Sequence, residues 1–359
     1  MKAWTGGSRD EPDQLSDRAR DRAETLAQIS ESGIELDPKG ERGHDDPAPD
    51  RPAEAGHASA HEHPHQHSEP GQPPVIGIVG AGAVGTALGV ALGRAGWPVA
   101  AVASRDAGRR ERFRALVPAA RGFAEAEALI DEVELIIVAV PDDAIAGLAS
   151  SIRLYGGQAM VHTSGALGAE VLAPAMAAGT QVGAFHPLVA FADLDRAVAA
   201  LRGATIAIEG DDDLVALLAT MAEAIGAVPV RLAPGSKAAY HAAAVLAAGG
   251  FVALLDAIAS LGRVAGLDEA GSLTIYGGLI EQTLGNARAL GIRDALTGPI
   301  ARGDIGTLRT HLAALRDSAP GALDLYRAAG LRELDLANQR GLLAPEVVEE
   351  LRESLASAR

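Results

Sequence analysis

The stretch SKAAYHAAAVLAAGGFVALLDAIAS, residues 236–260, is almost wholly apolar, and its polar exceptions are few. Lys237 and His241 stand four residues apart, which puts them on one face at the N-terminal end of the helix that this composition predicts. A lysine buried near a helix N-terminus is easier to deprotonate, because burial and the helix dipole both disfavour the cation. Such a group can give and take a proton beside a carbonyl. The alternative is Lys237 reaching to water along its stem, with His241 bonded to backbone. Two polar residues on one face of an apolar helix need a reason, which argues for the first reading.

A second chemical signature lies upstream. Residues 75–85 read VIGIVGAGAVG, a greasy strand that dissolves into Gly80, Gly82 and Gly85. The pattern G-x-G-x-x-G is weak alone, but here a strand precedes it, a helix follows and a second strand closes the unit. Gly80 permits the tight turn, Gly82 lets backbone approach a pyrophosphate, and Gly85 lets the helix pack close to the strand. Ala83 and Val84 then open the helix, whose free N–H groups and dipole favour an anion. The next strand ends in Ala103-Ser104-Arg105 rather than in an acidic residue. Ser104 and Arg105 suit a 2′-phosphate, with Arg109 or Arg110 as helpers, so NADP is expected over NAD. The alternative is that Arg105 is a surface charge. Val140 and Pro141, in AVPDDAI, fall where the chain passes the nicotinamide ribose, and Asp142 and Asp143 read as helix-start charges.

Ligands of open α/β sheets bind at the carboxyl ends of strands. Thr163, Ser164 and Gly165 of VHTSGALG and His186 of GAFHPL occupy such ends and are candidate substrate contacts, while His162 is expected to face the core. His186 is evenly balanced between ligand contact and structural hydrogen bonding. Further on, Arg302 in TGPIARGD offers a fork for a carboxylate, and Asn286, Thr297 and His311 are secondary candidates. Asp304 is placed to cap a helix.

The elements that must position these residues follow from the pattern of apolar runs. Strands are predicted at 75–80, 98–103, 134–140, 158–163, 181–185, 203–208 and 228–232, mostly continuous apolar runs as in buried parallel strands. Helices fall between them at 83–95, 106–116, 141–152 and 211–225. Beyond Leu232 the pattern turns helical: a long helix at 236–264, with Ser236 as its N-cap and most faces buried, then 268–290, 304–317, 320–340 and 344–357. The fold class is α/β, a doubly wound Rossmann domain (74–232) followed by an all-α domain for substrate and dimerisation (233–359) led by the long helix.

Residues 1–73 read as a disordered, acidic tail with one short helix near 17–29. Its His57, His61, His63, His65 and His67 alternate in a way that can bind Zn or Ni, though a solvated linker is the favoured reading and no metal site is assigned. The net charge of −16 argues against a nucleic-acid partner. The absence of cysteine excludes disulfides and thiolate chemistry and fits the cytoplasm. The apolar run 242–255 is short for a membrane span, and Asp256 ends it, so no membrane partner is expected.

With these motifs in order, residues 75–357 resemble the family that pairs a Rossmann-like domain with domain of unknown function 2520, within the 6-phosphogluconate dehydrogenase-like superfamily. VGAGAVGTAL, VPDDAI, VHTSGALG, GAFHPL, KAAYHAAAVLAAGG and ALTGPIARGD carry the resemblance. It implies an NADPH-dependent oxidoreductase acting on a C–O bond of a small 2-oxo acid, ketopantoate among the candidates. It also implies a homodimer with the long helices packed between subunits. Lys237 matches a lysine used by several relatives. His241 stands where they carry an asparagine, which leaves the proton donor open between the two. In this reading Ser164 and Arg302 hold the substrate carboxylate. Two rival readings are a non-catalytic NADP sensor or assembly protein and a dehydrogenase of the prephenate or pyrroline-carboxylate kind.

Overall fold

The computed structural model describes residues 72–356, Pro234 excepted. Residues 1–71 of the predicted tail, with its helix and its five histidines, lie outside the described residues. The chain forms two compact units, the first ending at His241 and the second starting at Ala242.

The first unit is built on one eight-stranded sheet: β1 (Ile76–Val79), β2 (Val99–Ala103), β3 (Arg121–Phe123), β4 (Leu135–Val138), β5 (Ala159–His162), β6 (Gln181–Pro187), β7 (Thr205–Glu209) and β8 (Val228–Arg231). Their order across the sheet is β3-β2-β1-β4-β5-β6-β7-β8. All neighbours are parallel except β6 and β7, which run antiparallel. The strands lack polar alternation because both faces are covered. Alternate residues feed two cores: Ile76, Ile78, Leu135 and Ile137 pack on one side with Leu88, Leu92 and Leu218. Val79, Ile136 and Val138 pack on the other with Leu129, Ile145 and Leu172. The short edge strand β3 escaped prediction because Arg-Gly-Phe is no apolar run and is largely exposed.

Helices join the strands: α1 (Ala83–Arg94), α2 (Ala107–Leu116), α3 (Glu127–Ile130), α4 (Asp142–Ser151), α5 (Leu194–Leu201) and α6 (Asp212–Ala224), with a 3-10 segment at Ala169–Ala175. Asp106, Asp193 and Asp211 cap α2, α5 and α6 with their carboxylates.

The apolar stretch begins as α7 (Lys237–Val245), passes through a π-helical turn (Leu246–Gly250) and continues as α8 (Phe251–Val264). Ser236 stands just before its first turn: its carbonyl accepts the Tyr240 N–H at 3.0 Å and its hydroxyl donates to the Ala233 carbonyl. One expectation about it fails. It is not buried on most faces: Val245, Leu246, Val252 and Val264 are all more than half exposed. Composition registers apolar residues without telling which molecule covers them. As one 28-residue helix, Lys237–Val264 is also long and apolar enough to cross a membrane, unlike the shorter run read from sequence.

The second unit continues with α9 (Glu269–Leu290), α10 (Ile292–Ala295), α11 (Pro299–Arg302), α12 (Ile305–Ser318), α13 (Pro320–Gln339) and α14 (Pro345–Ala356). Asp304 caps α12, accepting from the Thr307 N–H. Ile300, Leu308, Leu312, Leu334, Leu351 and Leu355 form its main core. Helix α9 stays largely outside that core and exposes Ile275, Leu279, Leu284 and Leu290.

Candidate active site

Two features face out from the carboxyl edge of the parallel strands. The first is the glycine turn after β1. Gly80 has φ +108°, and a Cβ there would stand 2.2 Å from the Ala139 carbonyl oxygen, so the turn requires glycine. A Cβ at Gly85 would meet the Gly80 carbonyl oxygen at 2.0 Å, which fits close packing of α1 on β1. Gly82 differs: nothing lies within 4 Å of the position its Cβ would take. The space beside it belongs to a cleft of about 1020 Å³ lined by Gly80, Gly82, Ser104, Arg105, Val140 and Pro141, among others. Ala83 and Val84 form the first turn of α1 behind the glycines. An open cradle of backbone at a helix N-terminus fits the pyrophosphate of a dinucleotide.

At the end of β2, Arg105 is exposed, lines the cleft and makes no ion pair among the described residues. Its expected helpers are engaged elsewhere. Arg110 donates to the Ser104 carbonyl at 2.5 Å, and Arg109 lies 3.5 Å from the Asp106 carboxylate.

The second feature is a cluster of side chains around Lys237. Lys237 is 5% exposed, and its Nζ lies 3.6 Å from Glu209 Oε2, an ion-pair distance too long for a hydrogen bond. Burial lowers the pKa of the ammonium, and the Glu209 carboxylate opposes that shift. His186, at the end of β6, meets the His241 ring edge to face at 5.6 Å and the Tyr240 ring at 5.7 Å. Gly165 makes this convergence possible. A Cβ there would stand 2.2 Å from His241 Nδ1 and 2.6 Å from His186 Nε2. Burial, with His241 and Lys237 nearby, lowers His186 to about 4. Burial raises Tyr240.

Four polar atoms of this cluster are buried with no hydrogen-bond partner among the described residues: Lys237 Nζ, Tyr240 Oη, His186 Nδ1 and His241 Nδ1. Each such atom costs roughly 1–3 kcal/mol if left unsatisfied. Their convergence makes a set of polar atoms suited to a polar ligand oxygen, with the lysine ammonium and the tyrosine hydroxyl as donors.

The turn after β5 is built differently. The Ser164 N–H donates to His162 Nδ1 at 3.2 Å, and His162 Nε2 lies 3.0 Å from the Gly168 carbonyl oxygen. The first bond requires a bare Nδ1, so Nε2 carries the proton and His162 is neutral. Burial accordingly lowers its pKa to about 4. The Ser164 hydroxyl donates to Asp142 Oδ2 at 2.8 Å and accepts from the N–H groups of Ala166 and Leu167. Its donor and both acceptor sites are engaged, so it meets a substrate carboxylate only by exchanging its bond to Asp142. Asp142 in turn is more than a helix-start charge, because it ties the Ser164 turn to the loop after β4. Thr163 donates to the Val138 carbonyl at 3.3 Å.

The structure thus gathers Lys237, His241, His186 and Gly165 in the first unit. Asn286, Thr297 and Arg302 belong to the second unit, all three exposed, on α9, before α11 and at the end of α11. His311 is bonded there to the Tyr326 hydroxyl at 2.9 Å. Sequence reasoning passed over Tyr240 and Glu209. Tyr240 was within reach, since Lys237, Tyr240 and His241 follow the i, i+3, i+4 spacing of one helix face. Glu209 carries no local signal, because only the antiparallel turn of β7 brings it to the lysine.

Comparison with known proteins agrees with this architecture. A Rossmann-like family profile matches residues 62–187, and the profile of a domain of unknown function, DUF2520, matches residues 204–333. The chain carries both matches in order, the Rossmann-like one first and the DUF2520 one after it. Two solved structures resemble it over most of their length. A Bacteroides fragilis protein described as an NADP oxidoreductase is 23% identical with a TM-score of 0.60, covering 72% of this chain and 96% of its own. A Thermotoga maritima protein is 25% identical with a TM-score of 0.56, covering 74% and 99%. A reductive aminase from Aspergillus terreus, solved with NADPH and ethyl-5-oxohexanoate, shares the fold at 18% identity and a TM-score of 0.51, covering 80% and 94%. No curated protein matches the sequence.

Proposed function

We propose that this protein is an NADPH-dependent oxidoreductase that reduces the carbonyl of a small 2-oxo acid, with ketopantoate the first substrate to try. The observation that carries the reading is the pairing of an open glycine cradle with a buried lysine cluster along one carboxyl edge of one sheet. The backbone of Gly80, Gly82, Ala83 and Val84 receives the pyrophosphate, Ser104 and Arg105 the 2′-phosphate, and Val140 and Pro141 flank the nicotinamide ribose. NADPH, when bound, supplies the hydride. Lys237, with His241 beside it, gives the proton to the carbonyl oxygen. Tyr240 and His186 offer further hydrogen bonds to the same substrate, and the buried surroundings strengthen each of them.

The test is NADPH oxidation by the purified protein across 2-oxo acids headed by ketopantoate, with prephenate and pyrroline-5-carboxylate as arms for the rival dehydrogenase reading. Substrate-dependent oxidation supports the proposal. Tight NADPH binding with no consumption favours a sensor or assembly role instead.

The same reading makes the protein a cytoplasmic homodimer, in which a second copy covers the exposed apolar residues of 237–264 and 269–290. Light scattering in detergent-free buffer then returns the dimer mass. A monomer there, or partition into lipid vesicles, overturns it.

A further inference from the structure

Lys237 is the only lysine beyond Lys39, and apart from histidine every later cationic side chain of this protein is an arginine. Arginine stays charged and gives up no proton near neutrality, whereas a lysine ammonium can. Among the described residues Lys237 is thus the one lysine, and it is buried.

Glu209 is the last residue of β7, and its carboxylate is held from a second side. Oε2 accepts the Ala169 N–H at 3.2 Å, where the 3-10 segment begins, and the same oxygen lies 3.6 Å from Lys237 Nζ. The other groups that face the lysine are Glu170 from the 3-10 segment, Asp142 from α4, His162 from β5, His186 from β6, and Tyr240 and His241 from its own helix. Among the described carboxylates, Glu209 alone stands at ion-pair distance. The lysine side chain is 6% exposed and the glutamate 21%, so solvent screens the pair little. Without Glu209, a buried ammonium faces loss of its proton to bulk.

We propose that Glu209 is a positioning residue for Lys237: anchored by the Ala169 N–H, its carboxylate keeps the buried amine protonated and fixed as the proton reservoir of the site. This rests on the reading of Lys237 as proton donor and names the residue that loads it.

The experiment is a pH titration of the full chain labelled with 13Cε-lysine, in which the Lys237 resonance is assigned by its loss in Lys237→Arg. Glu209→Gln keeps an acceptor for the Ala169 N–H and removes the charge. The Lys237 midpoint is expected to fall by about 1–3 pH units in Glu209→Gln. A smaller fall is expected in Glu209→Asp, which keeps the charge but sets it back. An unchanged midpoint in Glu209→Gln, shown folded by circular dichroism, overturns the proposal. The titration needs no substrate. A shifted midpoint in a protein that oxidises no NADPH therefore refutes the proposed function and leaves the Glu209–Lys237 coupling standing.

Discussion

The glycine cradle and the lysine cluster occupy neighbouring stretches of one sheet edge and are made by opposite means. The cradle is backbone: it works by leaving side chains out, and the open space beside Gly82 is its functional part. The cluster is side chain, and its functional part is a set of buried polar atoms that the described residues leave unsatisfied. The first costs little stability to maintain, because backbone N–H groups at a helix start are unpaired anyway. The second holds desolvated groups in place at a cost, and packing elsewhere must offset it.

The comparison breaks most visibly at Lys237. Replacing it with methionine keeps the stem and removes the ammonium. Turnover is expected to fall by about 10²–10⁴-fold, the range for loss of a positioned acid. NADPH affinity, measured by fluorescence titration, should stay within twofold of wild type on this argument, since the cradle contains no part of Lys237. Turnover that survives the change removes the cluster from the chemistry.

Two substitutions separate structure from function within the cradle. Gly80→Ala pushes a methyl against the Ala139 carbonyl at a positive φ, so it should lower unfolding free energy on the order of 3 kcal/mol. Gly82→Ala places its methyl in open space. It should leave the melting temperature unchanged and weaken NADPH roughly tenfold or more, about 1.4 kcal/mol. Equal NADPH affinity in Gly82→Ala would mean that no phosphate approaches this backbone.

The same contrast explains how much was legible in the sequence. The cradle is local: strand, glycines and helix follow one another within a dozen residues, and a pattern of residue types suffices to find it. The helices of the second unit were legible for the same reason. The cluster is assembled from β5, β6, β7 and α7, and only its helical members, Lys237, Tyr240 and His241, share a sequence neighbourhood. Ser164 shows the limit most sharply. Its place at a strand end made it a ligand candidate, but two hydrogen bonds in its own turn and one to Asp142 engage the hydroxyl. The exposed face of 237–264 shows another: apolarity is written in the chain, and the molecule that covers it is not.

Acid exposes the cost of the cluster. His162 is fully buried with a pKa near 4 against an ordinary 6.5. Between those values the unfolded chain binds a proton that the folded chain refuses. Stability from this group is complete above about pH 6.5 and declines as pH falls toward 4. The loss is about 3 kcal/mol at most. His186 acts in the same direction over the same window. Urea melts at pH 7 and pH 4.5 should show the decline, and His162→Gln should flatten its slope by about one proton. An identical slope in that variant would place the acid sensitivity elsewhere.

The smallest effect belongs to Arg105, at the exposed rim of the cradle. Its guanidinium lines the cleft, while Arg110 is bonded to the Ser104 carbonyl and Arg109 sits beside Asp106. One free fork is therefore left for a 2′-phosphate, and solvent screens it. Arg105→Ala should weaken NADPH by roughly tenfold, about 1.4 kcal/mol, with NADH affinity unchanged. The ratio of the two affinities is the diagnostic, because a general disturbance of the cradle would weaken both alike. Raising ionic strength should shrink the NADPH advantage in wild type and leave the variant nearly flat. If both dinucleotides bind Arg105→Ala as they bind wild type, the charge at the end of β2 does not read the ribose, and cofactor choice must be made by the backbone of the turn itself.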